Sequence, residues 1–181
     1  MNDYTNIMTI SEYWSWLENS FVENIRAQQW YNGDAPRNLS GFIDDKSNRL
    51  IGWATMRQLR VRADLCHVHP VSKSLNLTCE VDYSYSNEEQ RSFGLKWMNS
   101  TLTNYSSSIL NAFRYRSSQE LDTYTYVGDH GTYNTGGFVY EFRGCLSELR
   151  SNLSLLRQFK WIDQYTRAIL IQMSLYNPNI Q

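Results

Sequence analysis

Four side chains that could hold a metal or form a disulfide lie within one short stretch of the chain. They are Cys66, His67, His69 and Cys79. A zinc site requires paired ligands on a knuckle and a turn, and this spacing does not provide them. A disulfide between Cys66 and Cys79 fits better, since it would close a loop of roughly 14 residues and stabilise the fold by about 3 kcal/mol in the chain-entropy model. We therefore expect a cystine beside two surface histidines and no bound metal.

Reactive groups elsewhere in the chain do not assemble into a catalytic set. The sequence contains no Gly-x-Ser-x-Gly elbow, no Walker loop and no HExxH motif. Asp129 and His130 lie on a Gly-flanked turn, but no nucleophile at a recognisable position accompanies them. The third cysteine, Cys145, precedes a predicted helix and is expected to be a buried free thiol. We expect no catalytic residue and no cofactor.

Arginines and aromatic residues offer two candidate binding surfaces. The arginines are Arg57, Arg60 and Arg62, and the aromatic residues are Trp14, Trp16, Trp30 and Tyr31. An arginine stripe could bind phosphate or acidic partners, but on a half-buried strand it is expected to be solvated or paired with Glu80 and Asp82. The aromatic rings could bind a sugar or a protein, although core filling explains most of them.

The stretch from Met56 to Tyr85 must position the cysteines and the arginines. In its first half Leu59 and Val61 alternate with polar residues, which predicts a half-buried strand. Its second half predicts another, because apolar or thiol residues occupy every second position. These positions are Leu75, Leu77, Cys79, Val81, Tyr83 and Tyr85. The cystine would join these two strands.

Two helices are predicted near the ends of the chain. Thr9 and Glu12 have the spacing of a capping box, which predicts a helix from about Ile10 to Gln29. Its apolar stripe is Trp14, Leu17, Phe21 and Ile25. Leucines at helical spacing predict a second helix from about Leu146 to Phe159.

The remaining pattern predicts short strands and a surface loop. Further strands are expected at Ala112–Arg116, Asp122–Val127, Phe138–Phe142 and Ala168–Tyr176, with a short hairpin between Phe42–Ile43 and Leu50–Ile51. The polar stretch from Ser86 to Ser108 predicts a surface loop in which Trp97 is the anchor. Together these elements predict an α+β fold, a mostly antiparallel sheet with helices packed on one face.

Composition and sequence motifs indicate one domain outside the cytosol. The chain has 181 residues and a net charge of −1, so no bulk field favours nucleic acid. No apolar run is long enough to span a bilayer, and no signal peptide is visible, so we expect a fragment of a larger protein. Five glycosylation sequons occur, at Asn38, Asn76, Asn99, Asn104 and Asn152. With a cystine, they favour a lumenal or extracellular setting.

Several motifs resemble the extracellular domain of the polycystin family. A hydrophobic residue followed by RQLRVR matches a family signature, and its residues here are Arg57, Gln58, Leu59, Arg60, Val61 and Arg62. The turn that holds Gly136 and Gly137 is similar to the family's Tyr-x-x-Gly-Gly turn. The closing stretch is also similar, through Trp161, Asp163, Thr166 and Arg167. The aromatic first helix resembles the receptor-type, polycystin-1-like members.

This resemblance implies a domain, residues 1–181, on the extracellular or lumenal face of a plasma, ciliary or endoplasmic-reticulum membrane. It implies the disulfide that is conserved in this domain of the family, here between Cys66 and Cys79, and membrane attachment through flanking helices. In the family such domains crown tetrameric cation channels, so the implied partners are other polycystin subunits, in homo- or hetero-tetramers. The implied function is non-catalytic subunit assembly and gating. The alternative is recognition of an extracellular glycan, lipid or secreted protein through a groove beside the first helix.

Overall fold

The computed structural model describes residues 4–27, 41–66, 81–99, 107–128, 131–177 and 179. The α-helices are Ile10–Trp16 (α1), Val22–Asn24 (α2), Ser107–Asn111 (α3), Ser118–Leu121 (α4) and Leu146–Gln158 (α5). The strands are Arg49–Arg60 (β1), Tyr115–Arg116 (β2), Tyr126–Gly128 (β3), Gly131–Tyr133 (β4), Gly137–Glu141 (β5) and Thr166–Tyr176 (β6). Within these ranges no helix is long and apolar enough to cross a membrane.

The chain divides into two compact units. The first comprises Met1–Thr55, Glu141–Gln158 and Gln172–Gln181, and the second comprises Met56–Tyr140 and Phe159–Ile171. The boundary falls inside β1, β5 and β6, so each of these strands contributes residues to both units. The single domain expected from the sequence therefore stays a prediction.

The first helix begins as the sequence predicts and ends earlier. The Thr9 hydroxyl accepts from the Glu12 N–H, and the Glu12 carboxylate accepts from the Thr9 N–H, which completes the capping box. The Glu12 carboxylate also accepts from the Met8 N–H, and this hydrogen bond has the largest effect on its pKa. Together with the contacts to Thr9, it holds the pKa of Glu12 below its usual range. The last helical hydrogen bond runs from the Ile25 N–H to the Phe21 carbonyl, and the Ala27 N–H donates to the Phe42 carbonyl instead.

A π-helical turn, Leu17–Phe21, joins α1 to α2. It places Leu17, Phe21 and Val22 in the core, where Val22 is fully buried one position beyond the predicted stripe. Trp14 is also buried, and the Phe21 ring packs edge-on against Phe142 at 5.1 Å. Core packing thus accounts for the Trp14 ring, as expected from the sequence.

Helix α5 packs against the first helix within the first unit. Its buried stripe is Leu149, Leu153 and Leu156, which confirms the predicted spacing. Arg150 pairs with Glu23, and Arg157 pairs with Glu18 at 3.2 Å, across the two helices. Cys145 precedes the helix as a free thiol, but it is exposed, so the expectation of burial was wrong. Its N–H caps the helix end by donating to the Glu148 carboxylate.

The main sheet has the strand order β2-β5-β1-β6, and β3 pairs with β4 in a separate antiparallel hairpin. Strands β2 and β5 are antiparallel, with Tyr115 opposite Phe138. Strand β1 is central, since it has a neighbour on each side. This confirms the predicted α+β class with its mostly antiparallel sheet.

An aromatic cluster fills the core of the second unit. The Trp97 ring lies 4.8 Å from Phe113 and 5.0 Å from Phe138, and its indole N–H donates to the Lys160 carbonyl at 2.9 Å. Trp97 therefore anchors its segment, as predicted. The segment is less of a surface loop than expected, because Glu88, Glu89 and Leu95 are buried.

Several predicted strands differ from the structure. Residues 81–84 have no regular structure and residue 85 lies in a turn, so this part of the predicted second strand was wrong. Residues 67–80, which include His67, His69 and Cys79, lie outside the described residues, and so do Asp129 and His130, where the sequence predicts a turn. The strand predicted at Ala112–Arg116 is limited to β2, and the one at Asp122–Val127 is limited to β3. A capping box from Ser117 to Glu120 instead starts the short helix α4.

Candidate functional site

The second half of β1 is buried on both faces. Arg57, Gln58, Leu59, Arg60 and Val61 are exposed by 1%, 0%, 1%, 4% and 0% respectively. The sequence pattern predicted a solvated arginine face, and that prediction was wrong: only Arg62 of the motif is half-buried rather than buried. Central strands covered on both faces read as continuous buried runs, and here part of the run is polar. We call these six residues, 57–62, the β1 motif.

Arg57 fastens β1 to the glycine turn before β5. Its Nη1 donates to the Asn134 carbonyl at 2.7 Å and to the Gly136 carbonyl at 3.1 Å. Burial lowers the pKa of this guanidinium, while the nearby Tyr83 and Glu88 raise it. A charged donor on two turn carbonyls is stronger than a neutral one, so Arg57 holds the turn in place.

The glycines of this turn allow close approach of the backbone. Gly137 has a φ of +144°, and a Cβ built there would lie 2.7 Å from the Gln58 carbonyl oxygen and 3.2 Å from Cγ of Arg57. A Cβ on Gly136 would collide with the Tyr115 hydroxyl. Glycine at position 137 lets β5 and β1 approach this closely, and any larger residue at position 136 would have to displace the Tyr115 side chain.

Gln58 connects β1 to the segment before β6. Its Nε2 donates to the Trp161 carbonyl at 2.9 Å and to the Thr166 hydroxyl. Trp161 is fully buried, and its indole N–H donates to the Ala112 carbonyl at 2.7 Å. The tryptophan thereby links the motif to the end of α3.

Arg60 lies in a buried ion pair under an aromatic ring. Its Nη2 donates to Oδ2 of Asp163 at 2.9 Å, and its guanidinium carbon lies 3.5 Å from the centre of the Trp97 ring. Burial lowers the pKa of Arg60, and Asp163 opposes that shift. Nε and Nη1 of this guanidinium are buried with no acceptor among the described residues. The ring face therefore supplies part of the stabilisation that water would give.

Asp163 also orders the turn that leads into β6. Its Oδ1 accepts from the Tyr165 N–H at 3.0 Å, and its own N–H donates to the Thr166 hydroxyl at 3.1 Å. Arg167 continues the pattern, since its Nε donates to the Val81 carbonyl at 2.7 Å. The structure thus brings the predicted residues Trp161, Asp163 and Thr166 together with the β1 motif.

Sequence patterns missed a polar group around Glu88. Asn134 Nδ2 donates to Glu88 Oε2 at 2.7 Å, and the Asn134 N–H donates to the Tyr83 hydroxyl at 3.1 Å. Burial, with the Glu88 charge beside it, raises the pKa of Tyr115 to about 12. Polar residues in an irregular segment carry no periodic signal, so nothing in the sequence marked them as buried.

The chemistry of this network is structural. The hydrogen bonds of its charged and amide donors go to carbonyls, hydroxyls and the carboxylates of Asp163 and Glu88, all within the same unit. Within the described ranges no group of three or more His, Cys, Asp or Glu residues could hold a metal ion. The network fixes the relative positions of the glycine turn, β1 and the start of β6.

The other predicted site residues are only partly described. Cys66 is half-buried after a 3₁₀ turn, Ala63–Leu65, whereas Cys79 lies outside the described residues. Asn99 is exposed and Asn152 is half-buried on α5. The remaining sequons, Asn38, Asn76 and Asn104, lie outside the described ranges, as do Trp30 and Tyr31.

Comparison with known proteins identifies the family of this chain. A family model described as the polycystin domain matches residues 3–181, so the chain belongs to the polycystin-domain family. It is similar to Polycystin-2 of Danio rerio, at 29% identity, and to Polycystin-2-like protein 2 of Homo sapiens, at 30% identity. Each alignment covers 98% of this chain but only 18% and 27% of the respective relative. The chain therefore spans less than a third of the length of these relatives.

A polycystin-1-like relative is more distant. Polycystin-1-like protein 3 of Mus musculus is 23% identical over 98% of the chain and 7% of its own length. The family resemblance is thus confirmed, while the expected likeness to receptor-type members in particular has weak support.

We predict that Asp163→Asn destabilises the chain by about 3 kcal/mol, because it leaves the buried Arg60 guanidinium without its counter-ion. Urea unfolding followed by circular dichroism measures the loss. The matched control is Asp64→Asn, whose partner Arg91 lies 3.7 Å away with both side chains more than half exposed. That pair should contribute less than about 1 kcal/mol. Equal losses in the two variants would contradict the importance of the buried pair.

We predict that Gly137→Ala destabilises the chain more than Gly131→Ala does. The two glycines have nearly the same φ, +144° and +146°, so we expect a similar backbone strain of about 1–3 kcal/mol in both variants. At Gly137 the new methyl meets another strand, whereas at Gly131 no described residue lies within 4 Å of it. Thermal unfolding of both variants distinguishes the effect of the close contact between strands from that of backbone strain. Equal melting temperatures would contradict a contribution from the close contact at Gly137.

Proposed function

We propose that the chain is a non-catalytic assembly domain of a polycystin-family cation channel or receptor, located on the extracellular or lumenal side of a membrane. The match of the polycystin-domain model to residues 3–181 carries this proposal. Its partners are other polycystin subunits, in a homo- or hetero-tetramer, and the domain contributes to gating through those contacts. It requires no cofactor.

The interior of the second unit supports an architectural role. The motif residues that resemble the family bind one another: Arg57 binds the glycine turn, Gln58 binds Trp161, and Arg60 binds Asp163. A stiff interior of this kind holds surface loops in fixed positions, which lowers the entropy cost of association with a neighbouring subunit.

The cysteines support the proposed compartment. The chain has three cysteines, and Cys145 is free, which is compatible with the proposed disulfide between Cys66 and Cys79. A cystine persists in secreted or lumenal proteins and is rare in the cytosol. Asn99, exposed after the Leu95–Trp97 turn, is the accessible sequon of the two in the described ranges.

The alternative function, ligand recognition beside the first helix, receives less support. Trp14 is buried, and the Trp16 ring packs 5.9 Å from Tyr13 and 5.4 Å from Phe21. These rings stabilise the first unit, and burial raises the pKa of the Tyr13 phenol. Trp30 and Tyr31 lie outside the described residues, so the alternative rests on them.

We predict that removing residues 1–181 from the full-length protein converts its oligomer into smaller species on blue-native electrophoresis and abolishes its membrane current. Since deletion could also disturb folding, the secreted 181-residue chain serves as a second test. Co-expressed with the intact protein, it should co-purify with it and reduce the current. The Asp163→Asn chain, in which the Arg60 pair is broken, is the control. Unchanged oligomers together with no co-purification would overturn the proposal.

We predict one cystine and an occupied Asn99 in protein from a secretory host. Intact mass without reductant should be lower by one pair of hydrogen atoms than after reduction. Cys145→Ser should keep this difference, and Cys66→Ser should lose it. Asn99→Gln should remove one glycan mass, whereas Asn152→Gln, on a helix and half-buried, should change the glycan mass less. Retention of the difference in Cys66→Ser would contradict the pairing.

A further inference from the structure

Exposed apolar side chains gather on two neighbouring strands of the first unit. They are Ile51 and Trp53 on β1, and Met173 and Leu175 on β6, and we call them the β1/β6 patch. Their exposed fractions run from 42% for Met173 to 53% for Ile51. The members of each pair are two residues apart and so share one face of their strand, and strands β1 and β6 are adjacent in the sheet. Such a group on a protein surface marks an interaction site.

The end of β6 lacks the charges that normally protect a strand at the edge of a sheet. Among the described strands, β6 is the last in the order β2-β5-β1-β6, and residues 172–176 are all exposed. From residue 168 to residue 181 the sequence contains no Asp, Glu, Lys or Arg. Edge strands in water usually carry lysine, proline or inward charges that prevent association. This strand therefore suits an environment that is not bulk water.

Two guanidinium groups flank the tryptophan of the patch. The Arg26 guanidinium lies 5.4 Å from the centre of the Trp53 ring, and that of Arg143 lies 5.5 Å away. Arg26 donates to the Phe142 carbonyl, and Arg143 pairs with Glu141, so both cations are held beside the ring. The patch thus combines an indole and aliphatic side chains with two cations beside the indole.

This combination is complementary to the headgroup region of a phospholipid bilayer. Trp and Tyr rings settle where hydrocarbon meets headgroups, aliphatic side chains enter the acyl boundary, and arginine binds the phosphates at the same depth. The net charge of the chain is −1, so attraction over a distance does not bring it to a membrane. Binding to a membrane must therefore depend on short-range contacts of the patch. We propose that the β1/β6 patch binds the interfacial region of a phospholipid bilayer.

The proposal is independent of subunit assembly, which concerns contacts between polycystin chains. A second copy of the chain is the competing occupant of the patch, since exposed apolar strands also pair with one another. The two occupants differ in what they require. Bilayer binding depends on vesicles, whereas self-association depends on protein concentration alone.

Vesicle flotation of the 181-residue chain tests the proposal. The probes are phosphatidylcholine vesicles with and without a minor fraction of phosphatidylserine, some carrying brominated acyl chains that quench buried indoles. We expect the wild-type chain to float with the vesicles and its fluorescence to be quenched. Trp53→Ser and Leu175→Ser should each lower the partition coefficient about tenfold, as expected for loss of one inserted side chain. Trp53→Phe should keep binding and lose most of the quenching.

The matched control is Tyr124→Ser, which removes an aromatic side chain that is 91% exposed in the second unit. Its vesicle binding should equal that of the wild-type chain. Absence of flotation with either vesicle would overturn the proposal, and so would equal losses in Tyr124→Ser and Trp53→Ser. Sedimentation equilibrium without vesicles tests whether a second copy of the chain occupies the patch. A dimer that Leu175→Ser dissociates would assign the patch to a second copy of the chain instead.

Discussion

The second unit depends on a positive charge held away from water. The Arg60 guanidinium is 4% exposed, and the transfer of such a group out of water costs several kcal/mol unless partners replace the solvent. Asp163 supplies the opposite charge, and Trp97 supplies an aromatic face. Both partners come from segments far from β1 in sequence. The charge is therefore tolerated only when those segments are in place, which couples folding of β1 to folding of the turn before β6.

Backbone pairing around β1 satisfies the same requirement. The Val61 N–H donates to the Tyr165 carbonyl, and the Glu89 N–H donates to the Arg60 carbonyl. The end of the strand is thus enclosed by two irregular segments, which have no regular strand partner there but supply the hydrogen bonds of one. Since unpaired buried peptide groups are costly, these segments must adopt their positions together with the side-chain contacts. Polar side chains and irregular backbone form one cooperative network.

Much of the fold follows from local sequence patterns, and much of the network does not. The capping box at Thr9 and the leucine stripe of α5 predict their helices, because both signals act within one or two turns. The burial of Arg57 and Arg60 could not be predicted in this way. Alternation of polar and apolar residues predicts a strand with one solvent-exposed face. The prediction fails when both faces are buried, because the local sequence does not show which distant segments cover them. Resemblance to the family marked these residues, but not their contacts.

The irregular core residues show the same limit. Glu88 and Asn134 form a buried contact across 46 positions in sequence, and neither lies in a periodic segment. Conversely, the predicted strand at residues 81–85 has convincing alternation but an irregular backbone. In both cases the tertiary environment decides, because local preference for strand is weak compared with packing.

The π-helical turn at Leu17–Phe21 has a consequence for length variation in this helix. A π-helical turn accommodates one more residue than the regular ladder, and each α-helical residue turns the helix by roughly 100°. Loss of one residue here would restore ordinary helical hydrogen bonds without moving the ends of the helix far apart. Related chains can therefore gain or lose a single position at this point, and aligning them without a gap would assign the following side chains to the wrong face.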